Sequence, residues 1–426
     1  MSKSRYQSPK GTRDILVPES NRISLFIRAF EDILRSGGYG QIISPIFEDI
    51  GVFRRIGDST EIVTKEMFDL YDKDPKNPQH LALRPELTAS ICRAFVQHRP
   101  TTPWKVWYQG PQFRYEKPQA GRYRQFLQVG AEVLGTPDPH ADIEIIALAS
   151  RFFESLGLTK IELMLNSLGD SDSRELYNAA LIKYLDANKK ELSHQSQETM
   201  TKNPLRVLDS KREEDEEIIR NAPIITDFLN DENKEHFQIV RDGLDLLGIT
   251  YQLAPRLVRG LDYYTKTTFE FVAPSLDSAQ NAVGGGGRYD GLVEALGGPA
   301  TEGIGFAIGI DRTLLAYEAE NISHAPLQDL DVFIVDTTGG NEALILSDEL
   351  RRHGIAVDRG FDQRSMKAQM KAADRSGAEF AIIIGTDELA ENQVTLRDLR
   401  GDGTQSILDR QLLSTTLLNL LQEAKE

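Results

Sequence analysis

Residues 113–134 read FRYEKPQAGRYRQFLQVGAEVL, and the alternation in the second half of this stretch decides the fold. In an extended chain Leu127, Val129, Ala131 and Val133 share one side, while Arg124, Phe126, Gln128 and Glu132 share the other with Gly130 among them. Residues 104–116 and 124–134 therefore predict two strands joined by a polar, glycine-containing loop, a long hairpin with one core-facing side. The opposite side carries a cation, a ring, an amide and a carboxylate. A wet sheet face is one reading, but such faces are usually filled with Thr, Lys and Glu. Phe beside Gln and a bare Gly fits a ligand-facing surface, with Gly130 leaving room for a molecule against the backbone.

The hairpin is also locally basic. Between Lys105 and Arg124 the cations Lys105, Arg114, Lys117, Arg122 and Arg124 face one acid, Glu116, although the whole chain has a formal charge of −16. That overall charge disfavours non-specific nucleic-acid binding and leaves only local basic spots for an anionic partner. Arginine forks suit phosphate or carboxylate oxygens.

Working outward, residues 20–36 place Ile23, Phe26, Ile27, Phe30, Ile33 and Leu34 on one helical face, ended by Gly37 and Gly38. QIISPIF reads as extended, and residues 84–97 as helical. From 171 to 245 the chain is helical, polar and charged, and KREEDEEIIR reads as a solvated helix face. Strand signals return at TTFEF and GIGFAIGI, which predicts a mostly antiparallel sheet interrupted by a helical insertion. Residues 319–329 read as a linker. Beyond it DVFIVD, IAVDR and FAIIIG alternate with helices, predicting a small α/β domain with a largely parallel sheet. The length of 426 residues suits two or three such domains.

The single cysteine, Cys92, excludes a disulfide framework within the chain and argues against a cysteine-based zinc site. The seven histidines lack metal-ligand spacing. No apolar run reaches membrane-spanning length, and the N-terminal MSKSRYQSPKGTRDI has no apolar signal region, so a cytosolic protein without a membrane partner is expected.

Three further stretches stand out. GGGGRYDGL at 284–292 lacks the dinucleotide and P-loop spacings; it reads as a flexible turn by default, or as backbone passing close to a bound molecule. GIGFAIGIDRTLLAYEA at 303–319 changes from strand to helix near Gly309, which puts Arg312 in the first helical turn, where the dipole disfavours a cation. Either Asp311 compensates as a salt bridge or Arg312 points to an anionic ligand. In LVRGLDYYTKTTFEF at 257–271, Arg259 and Tyr264 have opposite parity, and Gly260 offers the break that would aim both at one place, with Tyr263 beside them.

Together these residues resemble the histidyl-tRNA synthetase family of class II aminoacyl-tRNA synthetases over nearly the whole chain. SPKGTRDI is similar to the family's N-terminal motif, ISPIFED to class II motif 1 with its proline at Pro45, FRYEKPQAGRYRQFLQVGAE to motif 2 and GIGFAIGIDR to motif 3. RGLDYY and GGGGRYDGL resemble the histidine-specific motifs, and NPLRVLDSK is typical of the insertion. The resemblance implies an α+β fold: a class II catalytic domain at 1–325 with an antiparallel sheet and a helical insertion near 171–245, then an α/β anticodon-binding domain at 328–426.

It implies a histidine–tRNA ligase that uses ATP with substrate-borne Mg²⁺, makes histidyl-adenylate and charges tRNA(His), as a homodimer. Position by position it implies Arg259 and Arg114 as catalytic arginines and Arg312 as a second phosphate clamp. Glu86, Thr88, Gln128, Glu132, Tyr263, Tyr264 and Tyr289 would hold histidine, Glu116 and Phe126 would meet adenine, and Gln119 would meet the tRNA acceptor end. Two positions depart from the family: Leu87 replaces a usual Gly, and Asp311 a usual Glu. The C-terminal domain carries 11 Lys/Arg against 18 Asp/Glu, so RNA readout there would rest on a few side chains and stacked bases. The competing reading is the non-charging regulatory subunit of ATP phosphoribosyltransferase; as a family it lacks the C-terminal domain and degrades the histidine-specific motif, and both are intact here.

Overall fold

The apolar stripe near the N-terminus forms the helix Glu19–Ser36, which buries Ile23, Phe26, Phe30 and Leu34. Spacing of three and four residues puts these side chains on one face, and that face needs a sheet to cover it. The computed structural model describes residues 6–55, 62–210, 212–257, 261, 263–276, 281–322, 330–361 and 364–423. It divides into two units, Met1–Ser323 and His324–Glu426. The expected linker at 319–329 falls largely outside the described residues.

In the first unit the strands are, in chain order, β1 (Gly40–Gln41), β2 (Phe47–Asp49), β3 (Phe68–Tyr71), β4 (His80–Leu83), β5 (Trp104–Phe113), β6 (Gln125–Leu134), β7 (Glu162–Ser167), β8 (Gln252–Leu253), β9 (Thr265–Val272), β10 (Ala282–Arg288) and β11 (Gly303–Gly309). The main sheet has the order β1-β5-β6-β11-β10-β9-β7-β8, and β2-β4-β3 form a smaller one. The main sheet is antiparallel except at its ends, where β1 pairs parallel with β5 and β7 with β8.

The hairpin divides its side chains as its alternation requires. Val129, Ala131 and Val133 join Phe30, Trp107, Phe152 and Phe306 in one core. Each fully buried Val or Phe among them is worth roughly 1.5–3 kcal/mol of transfer free energy. On the other face Val106, Tyr108 and Tyr289 pack with Ile91, Cys92 and Phe95 of the helix Thr88–His98. The candidate site is built on that second face.

Three expectations change. GGGGRYDGL does not open with a turn: Gly284, Gly285, Gly286 and Gly287 lie in β10, paired on both sides with β9 and β11, and Gly284 and Gly285 line the cavity of the candidate site, which fits the alternative reading of backbone passing close to a bound molecule. KREEDEEIIR is not wholly solvated, because Asp215 of the helix Glu213–Asn221 is fully buried. It accepts hydrogen bonds from the Ser193 amide and from the hydroxyls of Ser193, Ser196 and Ser210. In the second unit β12 (Val332–Asp336) pairs parallel with β13 (Val357–Arg359) and β14 (Phe380–Ile384). However, β15 (Gln393–Asp398) and β16 (Gln405–Asp409) add antiparallel, so the sheet β13-β12-β14-β15-β16 is mixed rather than largely parallel. The turn between the last two strands is too short for the crossover a parallel pair needs.

Residues 171–246 are mainly helical, and Tyr177, Leu181, Leu185, Val207 and Ile218 form their own core. That core also takes in Tyr264 from the approach to β9. The closing helix Asp231–Leu246 returns Phe237, Val240 and Leu244 to the main core.

Candidate active site

The site begins with a carboxylate in an unusual place. Glu132 points from β6 into the second face and has no solvent exposure. Its Oε1 accepts from Thr88 Oγ1 at 2.7 Å and from the Tyr108 hydroxyl at 3.3 Å, and its Oε2 accepts from the Tyr289 hydroxyl at 2.6 Å. Burial pushes its pKa up to about 8, with the three hydroxyls opposing that rise and nearby Glu86 adding to it. Held neutral below about pH 8, the carboxyl keeps a proton of its own to donate beside the oxygens that accept these three hydroxyls.

Glycines make the space. A Cβ on Gly305, directly opposite Glu132 across the β6–β11 pairing, would lie 1.6 Å from Glu132 Oε2. One on Gly303 would lie 2.2 Å from the Tyr289 ring. Gly130 has the same purpose, which corrects its reading as a ligand approach: a Cβ there would sit 2.4 Å from the Tyr108 hydroxyl. The room left by Gly130 is filled by protein.

In front of these groups opens a cavity of about 200 Å³. Glu86, Thr88, Arg114, Glu116, Phe126, Gln128, Tyr263, Tyr264, Tyr289 and Arg312 all line it. Glu132 does not; it stands one layer behind, reached through the Thr88, Tyr108 and Tyr289 hydroxyls. Gln119 is also outside the lining, in the hairpin loop, where it bridges to Arg122. Arg259 lies outside the described residues.

Glu86 sits at the start of the helix Thr88–His98, and its Oε1 accepts the Ala89 amide at 3.0 Å. Its Oε2 is buried without a hydrogen-bond partner, and burial raises its pKa. A buried oxygen left so is costly unless a ligand supplies the donor. Leu87, which replaces the family's usual Gly, is buried in the second core and also lines the cavity. Tyr263 stacks edge-on to Tyr289 at 5.9 Å and lies 4.7 Å from Tyr264.

At the other end are arginines. Arg114 is anchored by its Nε to the Pro85 carbonyl at 3.0 Å and sits over the Phe126 ring at 5.3 Å. Arg312 donates to the Gly121 and Ala282 carbonyls at 3.3 and 3.0 Å, and Arg122 pairs with Glu116 at 3.0 Å. Burial lowers the Arg312 pKa, and repulsion from Arg122 and Arg114 lowers it further. Asp311 does not compensate Arg312: it pairs with Arg13 at 2.9 Å and accepts the Leu127 amide at 3.2 Å. Crowded guanidiniums held by backbone carbonyls favour an incoming polyanion.

Sequence reasoning missed Tyr108, Glu270 and Tyr123, which also line the cavity. Tyr108 could have been found from register, because it faces Gly130 in the hairpin. Among the described residues no group of three or more His, Cys, Asp or Glu could hold a metal ion, and no helix is long and apolar enough to cross a membrane.

Comparison with known proteins gives a consistent picture. The profile of the histidyl-tRNA synthetase family matches residues 11–313, and that of the anticodon binding domain matches residues 331–420. The chain is 43% identical over 402 residues to the histidine–tRNA ligase of Geobacillus sp., covering 92% of this chain and 94% of that one. It is 42% identical over 410 residues to that of Staphylococcus saprophyticus, covering 94% and 96%. The crystal structure of apo Staphylococcus aureus histidyl-tRNA synthetase superposes with a TM-score of 0.80 at 37% identity, over 97% of this chain and 99% of that one.

Proposed function

The chain belongs to the histidyl-tRNA synthetase family, and from that membership we propose how its cavity works. The chain is a histidine–tRNA ligase: it activates histidine with ATP and transfers it to tRNA. The regulatory-subunit alternative is less supported, since the anticodon binding domain is present.

We propose that histidine occupies the end of the cavity bounded by Glu86, Thr88, Gln128 and the three tyrosines. The buried, unpartnered Oε2 of Glu86 takes the α-ammonium group. Thr88, whose proton is committed to Glu132, offers its oxygen to the same ammonium, and Gln128 completes that set. The imidazole meets the Tyr264 hydroxyl with one nitrogen, and its other nitrogen faces the Thr88, Tyr108 and Tyr289 hydroxyls through which Glu132 acts from one layer behind. A carboxylate and a phenol match a ring that carries one donor and one acceptor. Tyr263 and Tyr289 close the walls. The observation that carries this reading is the fully buried Glu132 with hydroxyls on both oxygens behind the cavity wall.

ATP lies at the arginine end, with adenine on Phe126 and near Glu116, and with Arg114 and Arg312 on its α- and γ-phosphates. Arg259 is the further catalytic arginine, bridging the α-phosphate and the histidine carboxylate. Joining a carboxylate to a phosphate needs no protein nucleophile; it needs two anions aligned and the developing charge met. Mg²⁺ arrives with the nucleotide as part of the substrate and shares that charge on the pyrophosphate side. Gln119, in the hairpin loop, meets the acceptor end of tRNA(His), and the second unit holds the anticodon. Exposed Ile43, Ile46, Phe47 and Leu70, grouped on and beside the small sheet, support a homodimer. We infer a location in the cytoplasm, where tRNA is charged for translation.

ATP–pyrophosphate exchange run with each of the twenty amino acids tests the assignment. Exchange should require histidine, and Arg259→Ala should abolish it with the fold intact. Near-normal exchange by Arg259→Ala would remove that residue from the chemistry.

A further inference from the structure

A second cavity, of about 190 Å³, lies on the insertion side of the segment that carries Leu261 and Tyr264. Both residues line both cavities, so this short segment is their common wall. The floor is apolar, with Leu168, Leu205, Leu208, Ile225 and Leu257. The polar lining consists of Arg174, Arg206 and Arg256 with Asn166, Asn178 and Asn203. Among the described lining residues there is no Asp or Glu. The first cavity has three arginines too, but Glu86, Glu116, Glu270 and Asp311 offset them. The insertion-side cavity is thus the more cationic of the two in a chain whose net charge is −16.

Two of its cations are fixed in place. Arg256 donates to the carbonyls of Ile219, Arg220 and Ala222, closing the helix Glu213–Asn221. Arg174, on the helix Ser171–Ala187, donates to the main-chain oxygen of Tyr264. Arg206 lies in the short helix Pro204–Asp209 of the NPLRVLDSK motif, which the ligase reaction leaves without a role. Asn178 contributes a buried Oδ1 with no hydrogen-bond partner. Guanidiniums around an apolar floor suit a phosphate monoester on a small apolar or planar body: charge-assisted hydrogen bonds hold the oxygens while the leucines cover the rest.

We propose that this cavity is a second ligand site, for a small phosphate monoester with an apolar body, and that its occupant stiffens the wall it shares with the first cavity. The coupling runs through the Arg174–Tyr264 contact. A ligand that favours one position of Tyr264 changes the affinity of the first cavity for histidine, and by linkage histidine changes the affinity of the second site by the same factor. ATP, whose arginines lie at the far end of the first cavity, is affected less.

The probe is phenyl phosphate, titrated calorimetrically into the full chain both alone and with histidine and a non-hydrolysable ATP analogue at saturation. One site per chain with a Kd below about 1 mM is expected under both conditions. Arg206→Gln should weaken it at least about tenfold, whereas Arg114→Gln should not. Asn178→Asp, which adds a negative charge to the cavity, should abolish it, and this second variant decides the matter where Arg206→Gln folds poorly. Bound phenyl phosphate should shift the KM for histidine and leave that for ATP nearly unchanged. Absence of saturable binding in the wild-type chain would overturn the proposal. So would binding lost in Arg114→Gln but kept in Arg206→Gln. Displacement of the probe by tRNA would give the site to the RNA backbone and overturn it as a small-molecule site. The KM shift rests on the histidine assignment of the first cavity, whereas binding of the probe to the chain alone and its loss in Arg206→Gln and Asn178→Asp do not.

Discussion

Arg13 and Asp311 stand 298 positions apart in the chain, yet the Arg13 guanidinium donates to Asp311 Oδ1 at 2.9 Å. The other oxygen of Asp311 accepts the Leu127 amide, and Arg13 also pairs with Glu19. One carboxylate therefore ties the N-terminal GTRD segment, the hairpin strand β6 and the helix Ile310–Ala319 into a single frame beneath Arg312. Replacing Arg13 with Ala leaves Asp311, which is 8% exposed at its side chain, without its cation. We expect a loss of about 1–3 kcal/mol in chemical unfolding, and a rise in the KM for ATP larger than that for histidine. Asp311→Asn keeps an acceptor for Leu127 and should cost less than Asp311→Ala; equal costs would show that the amide contact contributes nothing.

Glu132 gives a signed pH prediction. Its carboxyl is raised from 4.5 to about 8, so between those values the folded chain holds a proton that the unfolded chain has released. Its contribution to stability is fullest below pH 4.5 and declines as pH rises toward 8. Melting temperatures of the unliganded wild type should fall relative to Glu132→Gln across that range. The same substitution should weaken histidine far more than ATP. Equal losses for the two substrates would make Glu132 a structural residue only.

The fully buried Arg288–Asp142 pair immediately precedes Tyr289 in the fold's logic: Arg288 bonds Asp142 at 2.6 Å and also donates to the Thr136 and Asp138 carbonyls. Arg288→Met strands a buried carboxylate and should cost about 3–5 kcal/mol, while adding Asp142→Leu should recover part of that loss. Nearby His236 is held neutral, its pKa pushed down to about 3 by burial, with Arg288 and Lys266 adding to the effect and Asp138 opposing it. The unfolded chain gains a proton there below about 6.5, so stability falls as pH drops from 6.5 toward 3. His236→Met should flatten that acid limb in a Tm-against-pH series.

Removing the second unit separates two activities. A chain ending at Ser323 retains every described residue that lines the first cavity. It should support histidine-dependent pyrophosphate exchange at a near-normal rate and charge tRNA poorly. Efficient charging would show that the anticodon domain is dispensable. In the same fragment Arg312→Gln should lower the exchange rate by about 10²–10³-fold, as expected for loss of one charge-stabilising donor.

What could be read from the chain was whatever depends on local period. The hairpin's two faces follow from alternation alone, and Val129, Ala131 and Val133 are buried accordingly. The run of glycines in β10 could not be read as a strand because a strand without side chains has no period; its identity comes from β9 and β11 on either side, while its place at the cavity matches the reading of backbone close to a ligand. Tyr108 escaped notice because its importance lies in register, and the Arg13–Asp311 contact because nothing local foreshadows it. Asp215 looked solvated because a charge run hides the one carboxylate that three serines turn inward. The antiparallel pair β15–β16 was overlooked because the preceding βα alternation suggested that the pattern would continue.

Tyr264 belongs at once to the hydrophobic interior of residues 171–246 and to the wall of the first cavity, at the end proposed for histidine. The insertion is therefore not an appendage that could be excised, or exchanged for that of a relative, without retuning amino-acid affinity. Substitutions among its leucines are expected to surface as altered substrate preference before any loss of solubility, and drift in that remote helical core must be matched by compensating change around the tyrosines.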